Sequence, residues 1–248
     1  MLSRAWGITR SLAMYYTPAK LRRMRRLYGI FLGPGEVGFD IGAHVGSRVR
    51  AWRRLGARVV AVEPQPDCLR VLRAFFGRDP GVTLVPVAVG AEPGHARLVV
   101  STATPTVSSL SQEWISTVAE HERFARIRWD SAVEVPVTTL DDLIATHGEP
   151  AFCKIDVEGF EVPVLRGLSR PLRALSFEYL PQAHDAALTA LALVERLGTY
   201  AYNYSPIETM RFASDEWLDA GELARLLDRF RPFGRSGDVY ARLRTPPA

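Results

Sequence analysis

Two acids and two glycines lie at spacings that suit the binding of an adenosine. Asp40, Gly42 and Gly46 follow one apolar segment, and Glu63 and Pro64 follow the next apolar segment of the chain. A glycine lets the backbone approach a ligand closely and adopts torsions that other residues disfavour. An acid at the carboxyl end of the second strand can accept hydrogen bonds from both ribose hydroxyls. The pattern therefore predicts a strand, turn, helix and strand that together hold an adenosine.

The glycine spacing indicates which adenosine cofactor is bound. A dinucleotide requires Gly-x-Gly-x-x-Gly, whereas this chain has Asp-x-Gly-x-x-x-Gly with His44 in place of the middle glycine. The negative charge of Asp40 repels a pyrophosphate and attracts an ammonium or sulfonium group. S-adenosylmethionine carries both cations, so the residues favour it over a dinucleotide. A tight turn that binds no ligand is the alternative, and the placement of Glu63 argues against it.

Beyond Gly35 the apolar pattern alternates between strand and helix. We predict strands at 37–41, 58–62, 82–89, 151–156, 173–179, 199–204 and 238–243, and helices at 46–55, 66–76, 139–147, 160–168, 183–197 and 219–229. Short apolar strands with little polar alternation are typical of a sheet that is buried on both faces, and the intervening helices imply parallel crossovers. The sequence thus predicts an α/β fold with a seven-stranded, mostly parallel sheet and helices on both faces.

The segment 90–135 interrupts this alternation. Residues 94–100 resemble a strand, 102–110 a polar loop, and 112–128 an additional helix. An insertion at this point of the chain lies above the carboxyl ends of the strands, where ligands bind in such sheets. We expect it to shape the substrate site, although an ordinary solvated loop has the same composition.

Three stretches resemble one known family. They are Asp-Ile-Gly-Ala-His-Val-Gly from Asp40, Val-Glu-Pro-Gln-Pro from Val62, and Lys-Ile-Asp-Val-Glu-Gly-Phe-Glu from Lys154. They are similar to the FkbM-type S-adenosylmethionine-dependent methyltransferases, and the similarity runs from about Gly35 to Glu178. It implies a Rossmann-like class I methyltransferase domain over 35–248, preceded by an arm over 1–34. At His44 the family usually has Asn, and a histidine can also donate one hydrogen bond.

The family resemblance also implies a reaction and an acceptor. Its members transfer a methyl group to a hydroxyl of a glycan, glycolipid or polyketide-like metabolite, and the enzyme must align the acceptor and remove its proton. The candidate catalytic residues are Asp156, Glu158 and Glu178, which follow the fourth and fifth predicted strands. The alternative roles are a helix cap for Asp156, a salt bridge for Glu158 and a solvated acid at the sheet edge for Glu178.

The same three acids offer oxygen ligands of the kind that Mg²⁺ prefers. A divalent ion would acidify the acceptor hydroxyl, but the spacing of the acids does not require one, so the sequence leaves the metal open. Histidine is the other candidate proton acceptor, at His44, His95, His121, His147 and His184. A lone histidine is more often structural, and we single out none of them as the base.

The 248-residue chain has an uneven charge distribution. Seven basic residues precede the first acid, Glu36, and the rest of the chain has 24 basic and 27 acidic residues. Thr17 and Pro18 predict a helix start, followed by an apolar stripe with arginines on the other side. We expect this helix to pack on the domain. An anionic membrane surface or a phosphorylated partner is the alternative.

Several function classes fit the sequence less well. The first residues lack the pattern of a secretory signal and no apolar run has the length of a membrane span, so we expect a cytoplasmic protein, with peripheral contact at the inner membrane surface as the alternative location. Nucleic-acid methylation is disfavoured because the Asn/Asp-Pro-Pro-aromatic motif is absent. A short-chain dehydrogenase needs Tyr-x-x-x-Lys downstream of the cofactor loop, and here Tyr16 and Lys20 lie upstream. A non-catalytic module that binds the cofactor, a membrane or RNA remains the alternative function.

Overall fold

The computed structural model describes residues 2–121, 124, 126–207 and 209–244. Its strands are β1 Val37–Ile41, β2 Arg58–Val62, β3 Val82–Val85, β4 Ala88–Val89, β5 Gly94–Val100, β6 Ser131–Thr138, β7 Phe152–Ile155, β8 Ala174–Tyr179, β9 Tyr200–Pro206 and β10 Gly237–Leu243. Its α-helices are α1 Leu2–Tyr15, α2 Pro18–Tyr28, α3 Ser47–Arg53, α4 Pro66–Phe76, α5 Gln112–Ala119, α6 Leu140–His147, α7 Glu161–Arg166, α8 His184–Leu197 and α9 Ala220–Phe230.

The main sheet has seven strands, and each of the seven predicted strands contributes all or part of one. Their order is β3-β2-β1-β7-β8-β10-β9, and every pair is parallel except those that involve β10, which is antiparallel to both β8 and β9. This confirms the prediction of a seven-stranded, mostly parallel sheet.

Helices cover both faces of this sheet because alternate residues of each strand point to opposite sides. Val60 and Val62 of β2 pack in one core cluster, which includes residues of α6, α7, α8 and α9. Val59 and Ala61 of the same strand pack in a second cluster, with residues of α2, α3 and α4. The two-sided burial explains why the strands have little polar alternation.

The predicted strand 82–89 is wrong as a single element. It divides into β3, which pairs with β2 in the main sheet, and β4, which pairs with β6 in a separate sheet of order β4-β6-β5. Pro86 lies between the two strands. A proline has no N–H for a strand hydrogen bond, so the ladder ends there and the chain changes sheet.

The insertion and the arm also differ in part from the prediction. The strand at 94–100 is confirmed as β5, but β6 was missed, and the helix predicted at 112–128 ends at Ala119. Residues 122, 123 and 125 of that prediction lie outside the described residues. In the arm, α1 was missed, whereas α2 begins as predicted: the side chain of Thr17 caps it by accepting a hydrogen bond from the Lys20 N–H.

Helix α2 packs on the domain through its apolar stripe, as expected. Met24, Leu27 and Tyr28 are buried, and Phe31 just beyond the helix stacks on Phe152 of β7. In the described part of the chain, no helix is both long enough and apolar enough to cross a bilayer.

Candidate functional site

The strand register brings the predicted site residues to one edge of the sheet. Ile41 pairs with Val62 on one side and with Ile155 on the other, and Ile155 pairs with Phe177. These four residues end or nearly end their strands. The residues that follow them therefore lie side by side at the carboxyl ends of β1, β2, β7 and β8.

A cavity of about 420 Å³ opens at this edge. Its wall includes predicted residues from both halves of the site, namely Gly42, His44, Glu63, Pro64, Asp156, Glu158 and Glu178. The insertion contributes Pro105–Ser108, Leu110 and Phe124, and the arm contributes Met14, Tyr15, Met24 and Tyr28. The insertion thus lies over the site, as the sequence predicts, and the arm forms part of the same wall.

Glu63 is fixed by the backbone on both sides. Its Oε2 accepts a hydrogen bond from the His44 N–H at 2.7 Å, and its Oε1 accepts one from the Gln65 N–H at 2.8 Å. Burial raises the pKa of Glu63 to about 7, against the lowering effect of these two bonds. Each carboxylate oxygen can accept a second hydrogen bond. The carboxylate is therefore held in one orientation at the cavity wall with capacity left for two ligand hydroxyls.

Gly42 is required by the approach of two strands. It has a φ of +85°, and a Cβ at this position would lie 1.9 Å from the carbonyl oxygen of Asp156. Gly46, at φ +82°, serves packing: a Cβ there would meet the ring of Phe76 at 2.5 Å. Among the described residues, Gly46 is not part of the cavity wall.

Of the five histidines in the chain, His44 alone belongs to the described part of the cavity wall. It adopts a φ of +50°, and its ring lies edge-on to Tyr15 at 5.6 Å between centroids. Burial and the nearby Arg48 lower its pKa to about 3, so the ring is neutral. Its buried Nε2 has no hydrogen-bond partner among the described residues, so this nitrogen can bond to a ligand.

A chain of alternating charges runs beneath the cavity. The Nε of Arg48 donates to Asp40 Oδ1 at 2.6 Å, and one terminal nitrogen donates to Asp156 Oδ2 at 2.5 Å. Asp156 in turn lies 3.7 Å from the Nζ of Lys154, which pairs with Asp238 at 2.8 Å. We call Asp40, Arg48, Asp156, Lys154 and Asp238 the charge chain. It joins α3 to strands β1, β7 and β10.

The charge chain changes the interpretation of two predicted residues. Asp40 is fully buried and is absent from the described cavity wall, which it reaches through Arg48. Asp156 does not cap a helix: Phe160 occupies the N-cap position of α7. Burial raises the pKa of Asp156, but Lys154 and Arg48 outweigh this effect, so the pKa lies below its ordinary value. Asp156 is therefore ionised and oriented by two cations.

Three carboxylates converge beside the charge chain. Asp156, Glu158 and Glu178 each place one oxygen within 4.8 Å of the others. Glu178 lies on β8, an internal strand, so it is not an acid at the sheet edge. Burial, Glu158 and Asp156 raise its pKa well above the ordinary value, and its Oε2 has no partner among the described residues. The cluster is stabilised when it binds a proton or a cation.

The loop that carries Glu158 is held in an unusual conformation. Glu158 has a φ of +53°, and Gly159 follows at +86°. The Oε1 of Glu161 accepts hydrogen bonds from the N–H groups of Val157 at 3.1 Å and Gly159 at 3.4 Å. The hydroxyl of Ser109, in the insertion, donates to the Glu158 carbonyl at 2.6 Å. The insertion therefore positions the acidic loop as well as covering it.

Arg48 and Asp238 are two residues of the site that the sequence did not predict. Arg48 had one local signal, since it follows the glycine turn in the first turn of α3. Asp238 had none, because its contact with Lys154 depends on the antiparallel pairing of β10 with β8.

One comparison with known proteins identifies a family. A family model described as the methyltransferase FkbM domain matches residues 40–218. Among solved structures, precorrin-6y C5,15-methyltransferase from Geobacter metallireducens is 17% identical, with 91% of this chain and 86% of that chain covered, at a TM-score of 0.43. The precorrin 8w decarboxylase from Methanobacterium thermoautotrophicum is 11% identical, with 88% and 89% covered, at a TM-score of 0.46. Among curated protein sequences there is no significant match.

Proposed function

Because this chain belongs to the FkbM methyltransferase family and is an S-adenosylmethionine-dependent methyltransferase, we propose that it methylates a hydroxyl of a glycan, glycolipid or polyketide-like metabolite. The observation that carries this proposal is the cluster of Asp156, Glu158 and Glu178 in the wall of the same cavity as Glu63. A hydroxyl must lose its proton when it accepts a methyl group, and the cluster supplies groups that can take it.

The cofactor part of the cavity suits the donor. Glu63 can accept hydrogen bonds from the ribose hydroxyls, since the His44 and Gln65 N–H groups hold its carboxylate in place. The acids along the cavity wall outnumber the cations Arg48 and Lys154. Burial raises the pKa of Glu63 and Glu178, and a donor with an ammonium and a sulfonium group would favour the ionised forms of these acids. When bound, S-adenosylmethionine supplies the methyl group from its sulfonium.

The three clustered acids have different roles in the proposal. Asp156 has a lowered pKa and is a weak base, so it orients the acceptor through a hydrogen bond. Glu178 has a raised pKa, so its ionised form is a stronger base that accepts the proton of the hydroxyl. Glu158 raises the pKa of Glu178 by its charge and contributes an oxygen to the same space. General-base help of this kind contributes about 10²–10⁴-fold in rate.

A divalent cation is the second arrangement that fits the cluster. Three carboxylate oxygens within 4.8 Å of one another match the hard-ligand preference of Mg²⁺. An ion held by Asp156, Glu158 and Glu178 would lower the pKa of the acceptor hydroxyl. Activity with a chelator, followed by addition of Mg²⁺, distinguishes this arrangement from proton transfer to Glu178.

The rest of the cavity indicates an acceptor with an apolar part. Val107 and Leu110 of the insertion line the wall, together with Leu98, Phe124 and Leu180. These residues favour a lipid or polyketide-like portion over a wholly polar sugar, because apolar surface gains about 25 cal/mol per Å² on burial.

The test is methyl transfer from isotopically labelled S-adenosylmethionine to a panel of glycans, glycolipids and polyketide-like alcohols. We expect a labelled methyl ether, identified by NMR, and loss of labelling with Glu178→Gln. Glu149→Gln, which changes an exposed acid outside the cavity wall, is the matched control. Labelling of an amine, or full labelling with Glu178→Gln, would contradict the proposal.

A further inference from the structure

The outer face of α2 is strongly basic. Arg22, Arg23, Arg25 and Arg26 are exposed, while Met24 and Tyr28 on the other side of the helix are buried. With 3.6 residues per turn, the four arginines project over one broad side of the helix, and Ile30, in the turn just beyond α2, follows on this side. Ile30 is 56% exposed. We call these five residues the basic face.

The surroundings of the basic face provide little negative charge. Residues 1–35 contain no aspartate or glutamate. Helix α3, which packs against α2, also lacks acids, and the exposed Arg54 follows it. Glu36, the nearest acid in sequence, pairs with Arg173 at 2.7 Å. Unbalanced positive charge on this scale favours a partner with a dense negative charge.

Exposed apolar side chains on the arm favour a lipid partner over a nucleic acid. Besides Ile30, Trp6 of α1 is 60% exposed. The Arg10 guanidinium lies 5.4 Å from the Trp6 ring centroid. Tryptophan and aliphatic side chains gain free energy at the boundary between headgroups and acyl chains, and arginines attract anionic headgroups. The phosphates of a nucleic acid would leave the apolar side chain of Ile30 in water.

We propose that the basic face docks on an anionic lipid surface. The inner side of the same helix contributes Met24 and Tyr28 to the cavity wall. A helix with its side chains is about 10 Å across. Docking would therefore bring the substrate cavity to about one helix diameter from the membrane surface, where a lipid-linked acceptor is available. Docking itself does not depend on the reaction.

The test uses the full chain and vesicles of phosphatidylcholine with or without phosphatidylglycerol. We expect co-sedimentation only with the anionic vesicles, weakened by high salt because ions screen exposed charges. The variant R22Q/R23Q/R25Q/R26Q should lose at least about tenfold in partitioning, since each basic residue near the surface contributes to attraction. Ile30→Asp should weaken binding with the four arginines intact.

A matched control removes the same charge elsewhere. Arg225, Arg229, Arg231 and Arg235 are exposed at the other end of the chain, and R225Q/R229Q/R231Q/R235Q should retain binding. Circular dichroism and S-adenosylhomocysteine titration confirm that each variant is folded. Equal losses in the two quadruple variants would show that only net charge matters and would overturn the proposal. So would unchanged binding in the first variant, or binding of single-stranded RNA without any binding of vesicles.

Discussion

The protonation state of Glu63 should control the affinity of the adenosine site. Burial raises the pKa of its side chain to about 7. For an acid whose pKa is raised on folding, the folded state binds the extra proton, so its contribution favours stability at low pH and is lost as the pH rises from the ordinary value of 4.5 through about 7. Ligand binding has the opposite sign, because the ionised carboxylate is the form that accepts two hydrogen bonds from the ribose.

The size of the effect follows from that pKa. About a tenth of Glu63 is ionised at pH 6 and about nine-tenths at pH 8, so the affinity should rise about tenfold between these values. At the high-pH plateau, Glu63→Ala should weaken binding by about 1.5–3 kcal/mol, the range for hydrogen bonds to a charged group. Glu63→Gln should also bind weakly. The NH2 end of the glutamine side chain would face the backbone N–H of His44 or Gln65 and cannot accept a hydrogen bond from it.

Calorimetry with 5′-methylthioadenosine is the cleanest assay. This ligand has the ribose but lacks the amino group of S-adenosylmethionine, whose own titration would oppose the effect. Burial also raises the pKa of Glu161 to about 7. Glu161 is still present in the Glu63 variants, so any pH dependence that it causes would remain in them. We expect the pH slope in the wild-type protein and a flat profile in Glu63→Gln. A flat wild-type profile, or a slope that survives in the variant, would refute the assignment of Glu63 to the ribose.

Three further predictions concern the charge chain and the glycine turn. Asp156→Ala should lower kcat by at least about 10²-fold with little change in the Kd of S-adenosylhomocysteine; full turnover would remove Asp156 from the mechanism. Arg48→Gln should destabilise the fold by about 3–5 kcal/mol in urea unfolding, since it leaves Asp40 buried and unpaired, and the double variant with Asp40→Asn should recover part of this loss. An equal loss in both variants would contradict the pairing. Gly42→Ala should lower the Tm far more than Gly35→Ala, because both have positive φ but only Gly42 faces a carbonyl at 1.9 Å; similar shifts would mean that φ alone decides.

The sequence predicted the parts of the fold that local patterns determine. The strand ends that carry Glu63 and Asp156, and the start of α2 at Pro18, follow from apolar runs and capping residues next to one another in the chain. The division of 82–89 also had a local cause in Pro86, which the prediction overlooked. The pairing of Lys154 with Asp238 could not be predicted, because the two residues are far apart in sequence and meet only through the position of β10 in the sheet.

The position of the insertion at 90–135 could be predicted from the sequence, but its internal structure could not, for a similar reason. Its loop lines the cavity as expected, yet β6 pairs with β4 and β5 through contacts between distant segments. Strand β6 contains Pro136, which has no N–H for a strand ladder, yet β6 is the central strand of the small sheet, so its local pattern argued against a strand. Helix α1 has apolar residues on more than one side, including the exposed Trp6 and Met14, so its helical period is weak.

The charge chain under the cavity also restricts which substitutions this protein can tolerate during evolution. Each of the three internal members, Arg48, Asp156 and Lys154, pairs with two neighbours, so the loss of its charge leaves two opposite charges without balance, whereas the loss of Asp40 or Asp238 leaves one. Single substitutions there should be rejected, whereas simultaneous replacement of adjacent partners can be tolerated. Among homologues, positions 40, 48, 154, 156 and 238 should accordingly vary together or not at all.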